Sequence, residues 1–284
     1  MKITELHYSV SNNYLIEGRR GHLLFDTGWA GTLPLFLHAL GEIHIPVQSI
    51  DYILISHFHP DHMGIAEEIA DLGPRIAVMD VQRNYIHAAD AVFAKEKKSA
   101  FRPIKEEKVR FVPLSASREF LSEIGLDGEI LHTPGHSDDS ISLLLDSGEC
   151  FVGDLNPLYE LELHRGSKIG DSWEKLLAHR LKTVYYGHAK TAVLERDAAS
   201  DNDVQAVTAA APGKKRDLMP ADDKDRYRLV SKIMKCIDRH MDAEKIRKKT
   251  GADPVLIEDV TRMYLTHRNV GVQGILDRIE IKGK

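Results

Sequence analysis

Cysteine is scarce: the chain has only Cys150 and Cys236, enough for one disulfide at most. That excludes a disulfide framework, and a reducing cytoplasm is the compartment expected. Long apolar runs are missing too. The longest, such as Tyr52 to Ile55 and Ile141 to Leu145, are strand-length, well below the roughly 20 residues that span a bilayer. No membrane partner is expected. The opening residues MKITELHYSVSNNYLIEG hold neither an apolar core nor a small-residue cleavage site, so a secretory leader is not expected.

What is present is a chain of 284 residues, 43% of them apolar, enough to bury a sizeable core. Charge is spread unevenly. Residues 1–197 carry 20 Lys+Arg against 29 Asp+Glu, whereas residues 224–284 carry 15 against 9. A basic tail on an acidic body suggests separate structural units. The expected organisation is a catalytic domain over 1–197, an Ala/Asp-rich linker over 198–223 containing Pro212-Gly213, and a helical C-terminal extension over 224–284.

Within 1–197, short strands are expected at Lys2–Tyr8, Asn13–Glu17, His22–Asp26, Asp51–Ile55 and Arg75–Met79. Further strands are expected at Val109–Pro113, Arg118–Glu123, Glu129–His132, Ser140–Asp146 and Glu149–Gly153, with Thr183–Tyr186 as the last. Helical patterns cover Thr32–Leu40, Met63–Leu72, roughly 81–107, and Ser172–Leu181, where Asp171 and Glu174 resemble a capping box. Strands outnumber helices and several hairpins are implied. The fold class expected is α+β, two sheets packed face to face with helices outside: an αββα sandwich.

Histidine is abundant, at 15 residues, and its arrangement carries the chemistry. SHFHPDH at 56–62 places His57, His59, Asp61 and His62 in one short window after a buried strand. His57 and His59, two apart, can point the same way from extended backbone, while Asp61 and His62 turn away into the next helix. One segment can thus serve two metal ions. Imidazole and carboxylate suit zinc first, with iron and manganese chemically acceptable.

This stretch resembles the signature of the metallo-β-lactamase superfamily, and other landmarks follow in order. FDTG at 25–28 is similar to that family's early strand-end aspartate. TPGHS at 133–137, VGD at 152–154 and YYGH at 185–188 resemble the loops of its third histidine, bridging aspartate and final histidine. The resemblance implies that His57, His59 and His136 hold one metal. Asp61, His62 and His188 hold the other, Asp154 bridges both, and Asp26 orients a ligand or loop. It also implies a hydrolase with two divalent ions and a bridging hydroxide, attacking a small-molecule ester, thioester or lactone. The pattern is similar to glyoxalase II-type thioesterases and lactonases. It departs from flavodiiron oxidoreductases, which carry glutamate where His59 stands.

Two further residues are weighed for catalysis. Asp61 is a candidate for handling the proton, and Tyr159, five residues after Asp154, is either an oxyanion donor or a packing aromatic. Phe93 and Phe101 are either the lining of an acyl pocket or the anchors of a solvated helix. An alternative function is a phosphodiesterase or nucleic-acid-associated hydrolase whose basic tail meets phosphates. The C-terminal helices either complete the pocket, form a homodimer contact or bind a partner.

Overall fold

The computed structural model describes residues 1–94, 100–196, 204–208, 222–237, 241 and 243–254, and single positions beyond (256, 257, 260, 261, 264, 272, 275 and 276). They fall into two compact units, 1–208 and 209–284.

The first unit contains two six-stranded sheets. One runs β1 (Lys2–Leu6), β2 (Asn13–Glu17), β3 (His22–Phe25), β4 (Ile50–Leu54), β5 (Arg75–Met79) and β6 (Val109–Val112) in chain order. Its first three strands are antiparallel hairpins, and β3 to β6 are parallel. The other runs β7 (Gly128–His132), β8 (Ile141–Leu145), β9 (Glu149–Phe151), β10 (Thr183–Tyr185), β11 (Ala192–Arg196) and β12 (Val204–Thr208). Only its β9/β10 pair is parallel.

Alternation along the strands builds three apolar layers. From the first sheet, Tyr14, Ile16, Leu23, Phe25, Leu54 and Met79 face inward against Ile141, Leu143, Leu145 and Phe151 of the second. Their neighbours Leu15, Leu24, Ile53 and Val78 face outward, onto α1 (Leu33–Glu42), α2 (Pro60–Met63), α3 (Ala66–Ala70) and α4 (Asp90–Phe93), through Phe36, Met63, Ile69 and Phe93. Leu144, Cys150 and Val184 face outward on the other side, onto Trp173 and Leu176 of α6 (Lys168–Leu177). The expected αββα sandwich is the fold observed.

Several local expectations need correction. Arg118–Glu123, read as a strand, lies in helix α5 (Ser117–Glu123), with Phe120 and Leu121 buried in the central layer where the chain passes from one sheet to the other. The single helix expected at Met63–Leu72 is split into α2 and α3. A side chain at Gly64 would strike the backbone of Trp29 and Ala30, so the chain is drawn tight against that loop before the helix resumes. Helix α6 begins earlier than expected, capped by Ser167, whose hydroxyl accepts from the Gly170 N–H; Asp171 lies inside the helix.

Thr183–Tyr185 is not the last strand, because β11 and β12 follow. Val204–Thr208, within the segment read as a linker, pairs with β11 as the edge of the second sheet. The remainder of that segment up to 221, and residues 95–99 of the stretch expected to be helical over roughly 81–107, lie outside the described residues.

The second unit contains α7 (Asp223–Ile237) and α8 (Ala243–Thr250), with Val230, Ile233 and Cys236 packed with Ile246, Ile257 and Val260. Cys150 and Cys236 are both free and buried. Among the described residues, no helix is long and apolar enough to cross a membrane.

Phe151 tests the central layer. It is fully buried, stacked on Tyr185 at 4.6 Å, and in contact with Tyr14 and Phe25 from the facing sheet. Phe151→Ala is expected to cost about 3–5 kcal/mol in a urea melt. A loss below about 1 kcal/mol would contradict this packing.

Candidate metal centre

Five strand ends converge on one place. Asp26 follows β3, His57 to His62 follow β4, His136 follows β7, Asp154 follows β9 and His188 follows β10. The two halves of the sandwich thus contribute side chains to a common site at the C-terminal ends of these strands.

The local backbone explains how so many polar groups fit. Asp26 has φ 62°, a left-handed conformation that aspartate tolerates better than most residues. Gly153 has φ 54°, and a side chain there would overlap Ser56, so only glycine lets the Asp154 loop lie against the end of β4. Gly187 has ordinary backbone, but a Cβ there would lie 2.6 Å from Asp154 Oδ1 and 2.7 Å from His62 Cε1. That glycine therefore leaves the room in which the acid and imidazole stand.

Asp26 is fully buried and organises the first histidines. Its Oδ1 accepts from the Ser56 N–H at 2.7 Å, and its Oδ2 accepts from the Ser56 hydroxyl and from His62 Nδ1, both at 2.8 Å. Because the Ser56 hydroxyl donates to Asp26, its oxygen is left to accept from His57 Nδ1 at 3.0 Å. Both rings are thereby held with Nε2 turned towards the site.

The seven expected residues come together as two groups, His57 with His59 and His136, and Asp61 with His62, Asp154 and His188. Within each group the donor atoms lie within 4.8 Å of one another. His59 Nδ1 is 3.0 Å from His136 Nε2, and His188 Nε2 donates to Asp61 Oδ2 at 2.8 Å. Asp154 stands between the groups: Oδ1 is 3.2 Å from His62 Nε2 and 3.6 Å from His188 Nε2, while Oδ2 is 3.5 Å from His136 Nε2.

The two groups differ in charge. Burial, with His62 alongside, holds His57 well below the usual histidine range and lowers His59; burial takes His136 down to about 4 against the pull of Asp154. These imidazoles are neutral, the form that binds metals. In the other group burial would lower His62 and His188, but Asp154 and the neighbouring carboxylates outweigh it and raise both. Burial would raise Asp61, but His62 and the His188 hydrogen bond bring it to about 2; Asp154, likewise outweighed by His62 and His188, sits well below the ordinary carboxylate range. A cation bound there would displace protons from the histidines.

The residues fit a metal on a stricter criterion. His57 Nε2, His62 Nε2 and Asp154 Oδ1 are buried with no hydrogen-bond partner. His62 Nε2 and Asp154 Oδ1 are close, yet not aligned as a hydrogen bond. Buried polar atoms left unpaired are costly, and here they converge on a shared space, an arrangement that a bound cation would satisfy. The donor set is imidazole nitrogen and carboxylate oxygen throughout, suited to divalent metals.

Sequence reasoning missed a further layer. The Ser11 hydroxyl donates to the Asp61 carbonyl at 2.6 Å, and Asp139, buried, accepts from the Phe58 N–H at 2.7 Å. Gln82, fully buried, donates to the carbonyls of Ile55 at 2.9 Å and Asp139 at 3.2 Å, tying the end of β4 to the His136 loop. Asn12 donates to the carbonyls of Tyr186 and Ala189, on either side of His188. Asp139, two residues beyond the TPGHS motif, was the one with a signal in the sequence.

Other candidates are placed differently. Tyr159 is half-buried on a 3-10 turn, Leu158–His164, where the preceding N–H donates to the Tyr186 hydroxyl at 3.2 Å. His164 on the same turn is 3.8 Å from buried Glu160. Phe93 stacks on Phe101 at 4.1 Å and meets Trp29 edge-on, so these aromatics serve as anchors in the outer apolar layer.

Two substitutions test the framework. Asp26→Asn is expected to weaken metal binding about ten- to hundredfold in competition with a chromophoric chelator, through loss of the charge that orients His62. Gly187→Ala is expected to lower metal content while leaving the far-ultraviolet dichroism of the fold. Unchanged affinity in the first, or full metal content in the second, would contradict the geometry described.

Comparison with known proteins agrees with this architecture. The chain is 29% identical over 184 residues to a beta-lactamase-like protein 2 homolog of Drosophila melanogaster, covering 63% of this chain and 58% of that protein. It is 33% identical over 151 residues to a probable metallo-hydrolase of Methanocaldococcus jannaschii, covering 52% and 68% respectively. To an atrochrysone carboxyl ACP thioesterase of Claviceps purpurea it is 25% identical, over 64% of this chain and 51% of that one. The chain therefore spans between about half and two thirds of the length of these relatives. The solved structure of TTHA1623 in a di-iron-bound form shares the fold, with a TM-score of 0.50 and 20% identity over 68% of this chain and 94% of that one. The family model for the metallo-beta-lactamase superfamily matches residues 8–188, from the end of β1 to the last histidine of the site, and the chain belongs to that superfamily.

Proposed function

We propose that the protein is a metal-dependent hydrolase with two divalent ions, zinc first among them, acting on a small-molecule ester, thioester or lactone. The observation that carries this reading is the pair of donor groups with Asp154 facing both and buried donor atoms left without protein partners. In this reading His57, His59 and His136 hold one ion and Asp61, His62 and His188 the other, with Asp154 shared. Two such ions supply a water activated near neutral pH and an electrophile for the substrate oxygen.

The chain's own residues define the rest of the chemistry. Burial keeps bulk water from one side of the site, since His57 and His62 are fully enclosed. Asp61 is more open, its side chain 26% exposed, and at about 2 it remains a carboxylate at neutral pH, so it accepts rather than donates a proton. Tyr159 is the residue proposed to donate a hydrogen bond to developing negative charge. Similarity to a protein named as an acyl-carrier-protein thioesterase supports carbon esters and thioesters over phosphodiesters. A small-molecule substrate is the partner this reading requires.

Protein purified without added metal is expected to contain two ions per chain. Dipicolinate treatment should abolish turnover of a panel of thioesters, lactones and aryl esters, and zinc should restore it. His188→Ala should lower both metal content and turnover; full activity with one ion bound would end the two-metal reading. Tyr159→Phe is expected to lower kcat about tenfold or more with little change in KM, and unchanged kcat removes Tyr159 from the mechanism. Turnover of bis-aryl phosphodiesters alone would replace the carbon-ester reading with phosphodiester cleavage.

A further inference from the structure

The three histidines of one donor group come from opposite halves of the sandwich. His57 and His59 follow β4 in one sheet, and His136 lies in the loop joining β7 to β8 in the other. Three rings from two sheets can share one ion only if those segments keep a fixed separation. Here the ring centroids are 4.4–4.8 Å apart, and His59 Nδ1 is 3.0 Å from His136 Nε2.

A set of buried hydrogen bonds joins the two segments. The Phe58 N–H donates to Asp139 Oδ2 at 2.7 Å, and the Ile141 N–H donates to the Ser56 carbonyl at 2.9 Å. Gln82 spans both sides. Its Nε2 donates to the carbonyls of Ile55 at 2.9 Å and Asp139 at 3.2 Å, while its Oε1 accepts from the Met79 N–H at 3.2 Å. Ser56, Phe58, Gln82 and Asp139 are each at most 2% exposed, so water is poorly placed to replace a bond that is lost.

The loops on either side transmit this restraint to the rings. The His59 N–H donates to the His57 carbonyl at 3.0 Å, so Phe58 is the single residue of a tight turn between two donor histidines. Fixing its N–H sets the angle between them. In the facing loop the Thr133 N–H donates to the Ser140 carbonyl at 2.9 Å, and the Ser137 and Ser140 hydroxyls are 2.7 Å apart, which holds His136 and Asp139 in one closed loop. The other donor group has different supports: Ser11 at the Asp61 carbonyl, and Asn12 at the carbonyls of Tyr186 and Ala189 beside His188.

We propose that Asp139 and Gln82 are positioning residues for the His57–His59–His136 position alone, fixing the separation of the two sheets there so that three imidazoles can meet one ion. This rests on the two-metal reading above and gives each position its own support.

The test reads zinc binding by the full-length protein, stripped with dipicolinate and titrated against a chromophoric chelator, in two backgrounds. His188→Ala leaves the Asp139 side to be read, and His136→Ala leaves the other. In the His188→Ala background, Asp139→Ala and Gln82→Met are each expected to weaken zinc binding about ten- to hundredfold. Asp139→Asn keeps an oxygen to accept from the Phe58 N–H and should recover to within about threefold of the parent. In the His136→Ala background all three substitutions should leave zinc affinity within about twofold, as independent sites do. Equal losses in both backgrounds would make these residues general supports of the fold and overturn the proposal. Unchanged affinity in the His188→Ala background, or Asp139→Asn as weak as Asp139→Ala, would overturn it too. Should Asp139→Ala fail to fold, Gln82→Met decides by the same comparison. Two zinc ions in the wild-type protein with no ester turned over would remove the hydrolase reading and leave this test standing; a wild-type protein that binds no zinc would remove both.

Discussion

The carboxylate of Asp26 is the constraint on which the site depends. Burying a charge without partners costs several kcal/mol or more, and Asp26 is fully enclosed. It is tolerable because three donors meet it: the Ser56 N–H, the Ser56 hydroxyl and His62 Nδ1. Each of those contacts also has a consequence for the site. Holding the Ser56 N–H fixes the end of β4, holding its hydroxyl orients His57, and holding His62 turns its other nitrogen towards Asp154. A stabilising network and a ligand-orienting network are here the same set of bonds. The left-handed backbone at Asp26 is explained on the same terms, since the turn after β3 must swing the carboxylate under β4.

Close approach of the two halves of the sandwich is the second requirement. Asp154 and His188 leave neighbouring parallel strands of one sheet, while His57 to His62 leave the central region of the other. For these groups to lie within a few ångströms, backbone must touch side chain across the gap, and Gly153 and Gly187 provide those contacts. The sandwich interior below them is filled by aromatic residues from both sheets, Tyr14, Phe25, Phe151 and Tyr185. Rigid packing there sets the spacing of the loops above, so the geometry of the donor groups is inherited from the core.

The donor residues were legible in the sequence because their chemistry is carried by residue type and each follows a strand-like run. SHFHPDH, TPGHS, VGD and YYGH could be recognised one loop at a time. The supporting layer was not legible for a physical reason. Ser11, Asn12 and Gln82 act by satisfying main-chain carbonyls of segments distant in the chain, and nothing local distinguishes them from surface polar residues. The failure at Arg118–Glu123 has a similar origin: a six-residue segment with two adjacent apolar residues fits either period, and only its packing between the sheets selects the helix. Val204–Thr208 was hidden by its Ala/Asp-rich surroundings, because an edge strand needs only a neighbour, here β11, to form.

The charge distribution links these observations to chemistry. Three neutral imidazoles form one half of the centre, whereas two carboxylates and two raised histidines form the other. Asp61 and Asp154 raise His62 and His188, and those histidines in turn hold the two acids low. A divalent ion that displaces protons there finds the acid groups already ionised and the rings already aimed, so little reorganisation opposes binding. The neutral half offers no such exchange, and a cation there would be held through ligand geometry alone.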